Sequence, residues 1–213
     1  MSASKDSMDK IDSIEQLETI YGEAVERSLW KEINYLSPHY QQFIEASPFL
    51  ILATYGENGI DCSPRGDPPG FVRIVDKKTL LIPDRRGNNR LDSLRNIIHN
   101  DHVGLIFLVP NAGETIRVAG RAEILIDTEL CQSFSIQGKP ASSVLKISVE
   151  KAYFQCQKAI ARSSLWNAST YQDRKKLPSA GEMSKYFTDQ KEVDFDWQSY
   201  DENYPAHMKK TIY

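Results

Sequence analysis

Phe49-Leu50-Ile51-Leu52-Ala53-Thr54-Tyr55-Gly56-Glu57-Asn58-Gly59 decides the fold class. The apolar run is too short for a buried helix and ends in a turn-forming trio, so it reads as a strand entering a hairpin. Working outward, the same rhythm returns at 71–75, 79–82, 103–109, 115–126 and 144–149, each run bounded by turn residues. Asp76-Lys77-Lys78 makes a second hairpin-sized link. With no long crossover between runs, antiparallel pairing is favoured over a parallel sheet. Strands of mixed length with helices at the ends and between them predict an α+β fold built on a small antiparallel barrel.

Helical signals flank and interrupt the strands. Asp12 with Glu15 resembles a capping box, and Ile14, Leu17, Ile20 and Tyr21 then recur at helical spacing. Ser37-Pro38 offers an N-cap with proline at the first helical position, and Ser47-Pro48 ends that helix. Leu91, Leu94, Ile97 and Ile98 predict a helix stopping near Asn100-Asp101, and a later helix is expected over 151–166 with Tyr153, Cys156 and Ile160 on one side. The organisation expected is a polar N-terminus (1–10), a barrel domain with flanking helices (11–178), and a C-terminal helix and polar tail (179–213). A capping signature stands at Ser179 and Glu182.

Composition removes several classes. Apolar residues are 40% of the 213 and charged residues 26%, ordinary for a globular chain and unlike disorder. The longest apolar run, 103–109, is far short of the roughly 20 residues that span a bilayer. The charged first fifteen residues do not resemble a secretory signal, so a cytoplasmic location and no membrane association are expected. Cys62, Cys131 and Cys156 are odd in number and widely spaced, so reduced thiols are expected rather than a disulfide framework. No metal site is expected: His99 and His102 lack an acidic ligand cluster, and there is no H-E-x-x-H. A net charge of −3 and the lack of interleaved aromatics disfavour a nucleic-acid partner.

Four stretches carry chemistry. In Ser63-Pro64-Arg65-Gly66-Asp67-Pro68-Pro69-Gly70 a guanidinium beside glycines suits a phosphate or carboxylate, although a tight turn with Arg65 paired to Asp67 reads equally well. Ile82-Pro83-Asp84-Arg85-Arg86-Gly87-Asn88-Asn89-Arg90 runs from a strand into a helix, where N–H groups, amides and arginines converge. That is an anion site, or else a capped helix with a solvated basic face. In 113–122, Arg117 lies on an otherwise apolar strand and needs an anionic partner, which a structural salt bridge would also supply. Lys158, Arg162 and Trp166 form a basic and aromatic row, while Cys156 is either a small core residue facing Tyr153 and Ile160 or a thiol activated by nearby cations. Walker, Rossmann and G-x-S-x-G signatures are absent, and no catalytic acid, base or nucleophile stands out.

Taken in order, Ser47-Pro48-Phe49, the stretches 63–72 and 80–96, then 114–122 and 156–166, resemble the FMN-binding split-barrel proteins related to pyridoxamine 5′-phosphate oxidase. The resemblance covers about 14–178. It implies an antiparallel split β-barrel with flanking helices, FMN as cofactor, and a homodimer holding the flavin in two clefts at the subunit interface. Residue by residue it implies that Arg65, Asn88, Asn89 and Arg90 hold the FMN phosphate and that Ile82, Pro83 and Asp84 form the strand end along which the ring lies. Arg117, Lys158, Arg162 and Trp166 match positions near the flavin, reaching it from the second subunit. Phe49, Phe71 and Phe107 are expected to leave apolar surface for that dimer. The vitamin B6 oxidases end in arginine-leucine-x-proline after a tryptophan strand, whereas 192–213 here is acidic and aromatic. The likeness therefore implies a flavin site without specifying the substrate. An FMN-dependent oxidoreductase of a small molecule, with NAD(P)H as an electron donor, is the first expectation, and a flavin storage or sensing protein the alternative. One helix start and Arg65 provide for one terminal phosphate, and a pyrophosphate ligand would need further donors.

Overall fold

The computed structural model describes residues 10–213. Its described part opens with α1 (Ile14–Tyr21), α2 (Glu26–Trp30) and α3 (Pro38–Ala46), followed by β1 (Phe49–Gly56), β2 (Gly59–Gly66), β3 (Arg73–Asp76) and β4 (Thr79–Asp84). Next come α4 (Asp92–His99), β5 (His102–Leu108), β6 (Thr115–Leu125), α5 (Thr128–Ser133), β7 (Ser143–Gln155) and α6 (Lys158–Ser163). Helices α7 (Ala180–Asp189) and α8 (Trp197–Thr211) form the C-terminal arm.

The strands form one antiparallel sheet in the order β2-β1-β5-β6-β7-β4-β3. Its first and last strands do not pair, so the barrel is split rather than closed. Side chains bring the two ends together instead. Arg65 on β2 is ion-paired with Asp84 at the end of β4, and Asp67 just beyond β2 with Arg85 at 2.9 Å. The α+β split barrel is the predicted fold.

Period-two alternation builds the core. Leu50 and Leu52 of β1, Val103, Leu105 and Phe107 of β5, and Ile116, Val118 and Ala122 of β6 all point inward and are buried. Each large side chain among them stabilises the fold by roughly 1.5–3 kcal/mol through area removed from water. Helix α3, capped by Ser37 and with Pro38 in its first turn, adds Tyr40 and Ile44 to this cluster.

Several expectations are corrected. Residues 151–155 continue β7 as a strand, and the helix predicted over 151–166 shrinks to α6. A bulge explains the misreading: Ala119 pairs with Lys151 but Gly120 with Val149, leaving Glu150 extra. Val149 and Ala152 then both face inward, and the period-two signal is lost. Strand β2 falls in a stretch read as a loop, because an edge strand tolerates Pro64 and needs no apolar alternation. The first helix is capped by Ser13 and not by Asp12. Phe71 and Phe107 are buried within the protomer, leaving Phe49 partly exposed, so two of the three phenylalanines offer nothing to a dimer. In the arm, Ser179 and Glu182 form the predicted capping box, and Asp201 of α8 accepts hydrogen bonds from Ser179 and from the Gly181 N–H. No helix among the described residues is long and apolar enough to cross a membrane.

Candidate functional site

On β2, alternate residues share a face, so Asp61, Ser63 and Arg65 look the same way. Opposite them stands the turn 87–91 that leads into α4. Together they bound a cleft of about 760 Å³ whose lining also includes Asp84, Arg86, Arg95, Ile124 and Ser143. Five arginines face it against three aspartates, so the cleft carries net positive charge.

The turn is held in an uncommon backbone. Asn89 and Leu91 have φ of 58° and 60°, the left-handed region, which asparagine tolerates but leucine rarely adopts. Such conformations persist where surrounding structure enforces them, and they concentrate at functional sites. Leu91 is the N-cap of α4 and makes no side-chain cap, so the first-turn N–H groups of α4 face the cleft without a capping oxygen. Helix α4 is pinned from behind by Asn96, buried and donating to Thr54 Oγ1 (3.2 Å) and the Gly59 carbonyl (3.3 Å). Gly56 lets that helix approach, because a Cβ there would collide with the Asn96 side chain and backbone.

Two polar clusters order the walls. Asp61 accepts from Ser93 Oγ (2.6 Å) and Ser63 Oγ (2.7 Å). The Ser93 hydrogen bond, then Ser63 and the nearby Arg65 and Arg90 charges, hold its carboxyl below the ordinary value against a modest burial penalty. In the second cluster the largely buried Arg65–Asp84 pair closes one end. Two buried polar atoms of this lining have no partner: Arg65 Nε and Ser143 Oγ. Buried donors are nearly always satisfied, so each marks a place for a ligand or water oxygen.

The predicted site residues fall into three groups. Arg65, Asp84, Asn88, Asn89 and Arg90 line the cleft together. Arg65 pairs with Asp84, and Asp67 takes Arg85 as its partner, so the local Arg65–Asp67 turn is not formed. The helix begins at Asp92, two residues after Arg90, and Arg90 itself is mostly exposed and bonded to Asp92 at 2.8 Å. Ile82 and Pro83 are buried beneath the lining, where they pair in register with Leu145 and Val144. Arg117, Lys158, Arg162 and Trp166 lie elsewhere. Arg117 is seven residues along β6 from the cleft residue Ile124, about 23 Å at ~3.3 Å per strand residue. It is exposed and lies over the Tyr153 ring (4.9 Å), with no anionic partner among the described residues. Trp166 follows α6 in a turn rather than a helix, and its Nε1 donates to the Ala112 carbonyl (2.7 Å). Cys156 sits exposed between β7 and α6, which overturns the core-residue reading. Its thiol is lowered from the ordinary value by the Lys158 N–H, and further by the Lys158 and Lys31 charges. Asp61, Ser93 and Ser143 escaped the sequence reading, since only tertiary pairing across β2, α4 and β7 brings them together.

The model of the family described as pyridoxamine 5′-phosphate oxidase matches residues 36–156, more than half of the chain. No curated protein matches the sequence. Among solved structures, a histidine-to-alanine variant of HupZ from Group A Streptococcus is 18% identical, covering 56% of this chain and 99% of its own with a TM-score of 0.47. An FMN-binding protein from Syntrophomonas wolfei subsp. wolfei is 14% identical, covering 65% and 96% with a TM-score of 0.41. A NimC/NimA family protein from Clostridium acetobutylicum is 18% identical, covering 66% and 94%, also with a TM-score of 0.41.

Proposed function

The chain belongs to the pyridoxamine 5′-phosphate oxidase family, and from that premise we propose that it is a flavoprotein whose cleft between β2 and the start of α4 holds FMN. One observation carries the reading. The uncapped start of α4, the left-handed turn before it, and the orphaned donor Arg65 Nε converge on a single net-positive cleft. The volume lies within the range of small-molecule sites, roughly 300–1,000 Å³. The residues present therefore fit the group: Asn88, Asn89, Arg90 and the α4 N–H groups would take the phosphate, with Arg65 and Ser143 along the wall.

When bound, the flavin supplies hydride or electron transfer, and the protein supplies charge complementarity and orientation. Arg65 is preorganised by Asp84 and keeps its Nε free, while Asp61 orients the Ser63 and Ser93 hydroxyls by accepting from both. No group in the cleft is needed as a proton-abstracting base. The reading extends to an oxidoreductase of a small molecule with NAD(P)H as donor. Because Arg117, far along β6, and Lys158, Arg162 and Trp166, in and after α6, do not line this cleft, we assign them to the cleft of a second copy in a homodimer. The exposed Phe49 and the unpartnered apolar residues Leu29 and Trp30 of α2 offer surface for that association.

The test is the visible spectrum of freshly purified protein with the released cofactor identified, alongside light scattering. The reading expects one FMN per chain and twice the 24.2 kDa chain mass. A colourless protein that takes up no added flavin would overturn it. NAD(P)H-dependent bleaching separates turnover from storage.

A further inference from the structure

Helices α1 and α2 are fully formed yet cover nothing: every residue from 10 to 30 is exposed, and neither helix buries a side chain. Helices of eight and five residues do not hold in water on propensity alone, so a surface outside the described protomer is needed to hold them. The ends of α1 are specified. Ser13 accepts from the Gln16 N–H, and Gly22, at φ 70°, donates to the Glu18 carbonyl. Ile14, Leu17 and Tyr21 share one face of α1, and α2 adds Leu29 and Trp30, the latter 69% exposed. The polar side chains are mostly acidic, and Glu15, Glu18, Glu23 and Glu26 make no ion pair among the described residues.

The complementary surface lies after α6. Arg174, Lys175 and Lys176 stand exposed on one turn, with exposed Tyr171 before them and exposed Leu177 after. Arg174 Nη1 donates to the Leu177 carbonyl (2.9 Å), and neither lysine ammonium has a partner among the described residues. No hydrogen bond or ion pair joins 10–30 to 171–177 within the described chain. Resting on the homodimer reading, we propose that the acidic, apolar-faced arm 10–30 docks on the basic strip 171–177 of a second copy of this chain, each copy giving one arm and receiving one. A two-fold pair makes both contacts at once. Arm and strip together supply about the 20–30 residues a side that a stable interface uses, with Tyr21 and Trp30 as its aromatic anchors. A bilayer is the poorer occupant, because anionic headgroups repel an acidic amphipathic arm.

The test is the dimer dissociation constant, measured by sedimentation at low salt, for wild type, an arm variant (Glu18→Lys/Glu23→Lys), a strip variant (Lys175→Glu/Lys176→Glu) and the chain carrying all four changes. The arm and strip variants are each expected to dissociate about tenfold more readily or worse, since exposed pairs in both contacts turn repulsive together. The four-change chain and an equimolar mixture of the arm and strip variants are expected to return to within about threefold of wild type. Recovery in the mixture arises only between chains, so it excludes an arm folded onto its own strip. Amide exchange over 14–21 is expected to be at least about tenfold slower in the wild-type dimer than in the strip variant. Unchanged affinity in both variants, or losses that neither the mixture nor the four-change chain recovers, would overturn the docking. Equally fast exchange in the wild-type dimer and the strip variant would overturn it too, and would leave the arm face to a different partner. A wild type that stays monomeric overturns the homodimer reading and the docking together, while flavin uptake by the same proteins reports on the cleft separately.

Discussion

Removing Arg65 tests the site and the fold at once. The Arg65 and Asp84 side chains are 20% and 9% exposed, so Arg65→Met strands a carboxylate in a nearly dry place. Breaking a buried pair by deleting one partner costs about 3–5 kcal/mol. Against this, Arg65 Nε is a buried donor with no acceptor, and losing it returns about 1 kcal/mol. The expected loss is about 3 kcal/mol, or about 6–12 °C in Tm for a chain of this size. Arg65→Met/Asp84→Asn leaves no uncompensated charge, so the double variant should recover at least half of that loss. Thermal and urea unfolding of wild type, both single variants and the double variant complete the cycle. An Arg65→Met variant within about 1 kcal/mol of wild type, or additive single losses, would refute the pairing that draws the two ends of the split barrel together.

Gly56→Ala drives a Cβ into Asn96, so α4 must shift; a loss of about 2–3 kcal/mol in urea unfolding and weaker flavin retention are expected. The Asp61 carboxyl is depressed in the folded protein, so its stabilisation is complete above the ordinary carboxylate range and is lost as pH falls below about 4. Asp61→Asn should flatten that acid limb in pH-dependent melts, and an unchanged limb would remove Asp61 from the account. Cys156, exposed and with a lowered thiol, should alkylate faster than Cys62 at neutral pH, with buried Cys131 protected; iodoacetamide mass spectrometry reads all three.

Strands that pack one face on the core announced themselves. The runs 49–55 and 103–109 were legible as short apolar stretches bounded by turn residues, and in the fold Leu50, Leu52, Leu105 and Phe107 are their inward, buried positions. Strand β2 did not, since its inward positions are Asp61, Ser63 and Arg65, polar because they face the cleft. The end of β7 was misread because Tyr153, Cys156 and Ile160 mimic helical spacing, while pairing of Arg117 with Tyr153 across β6 overrides that local preference. The strand-to-helix turn 85–90 was legible as part of one cleft wall, because glycine, amides and arginines adjacent in sequence are adjacent in space. The pairings around it were not: Asp84, the ion-pair partner of Arg65, lies 19 residues from it, and Asp61, which accepts from Ser93, lies 32 residues from that serine. Such pairs follow from sheet curvature, which no local pattern encodes.

The central claim is that the cleft between β2 and α4 grips a phosphate. Titrating flavin-free protein with FMN and with riboflavin, which differ only in that group, tests it most directly. At least two charge-assisted hydrogen bonds at about 1.5 kcal/mol each make FMN tighter by about 100-fold or more. Riboflavin binding within about fivefold of FMN would contradict the account.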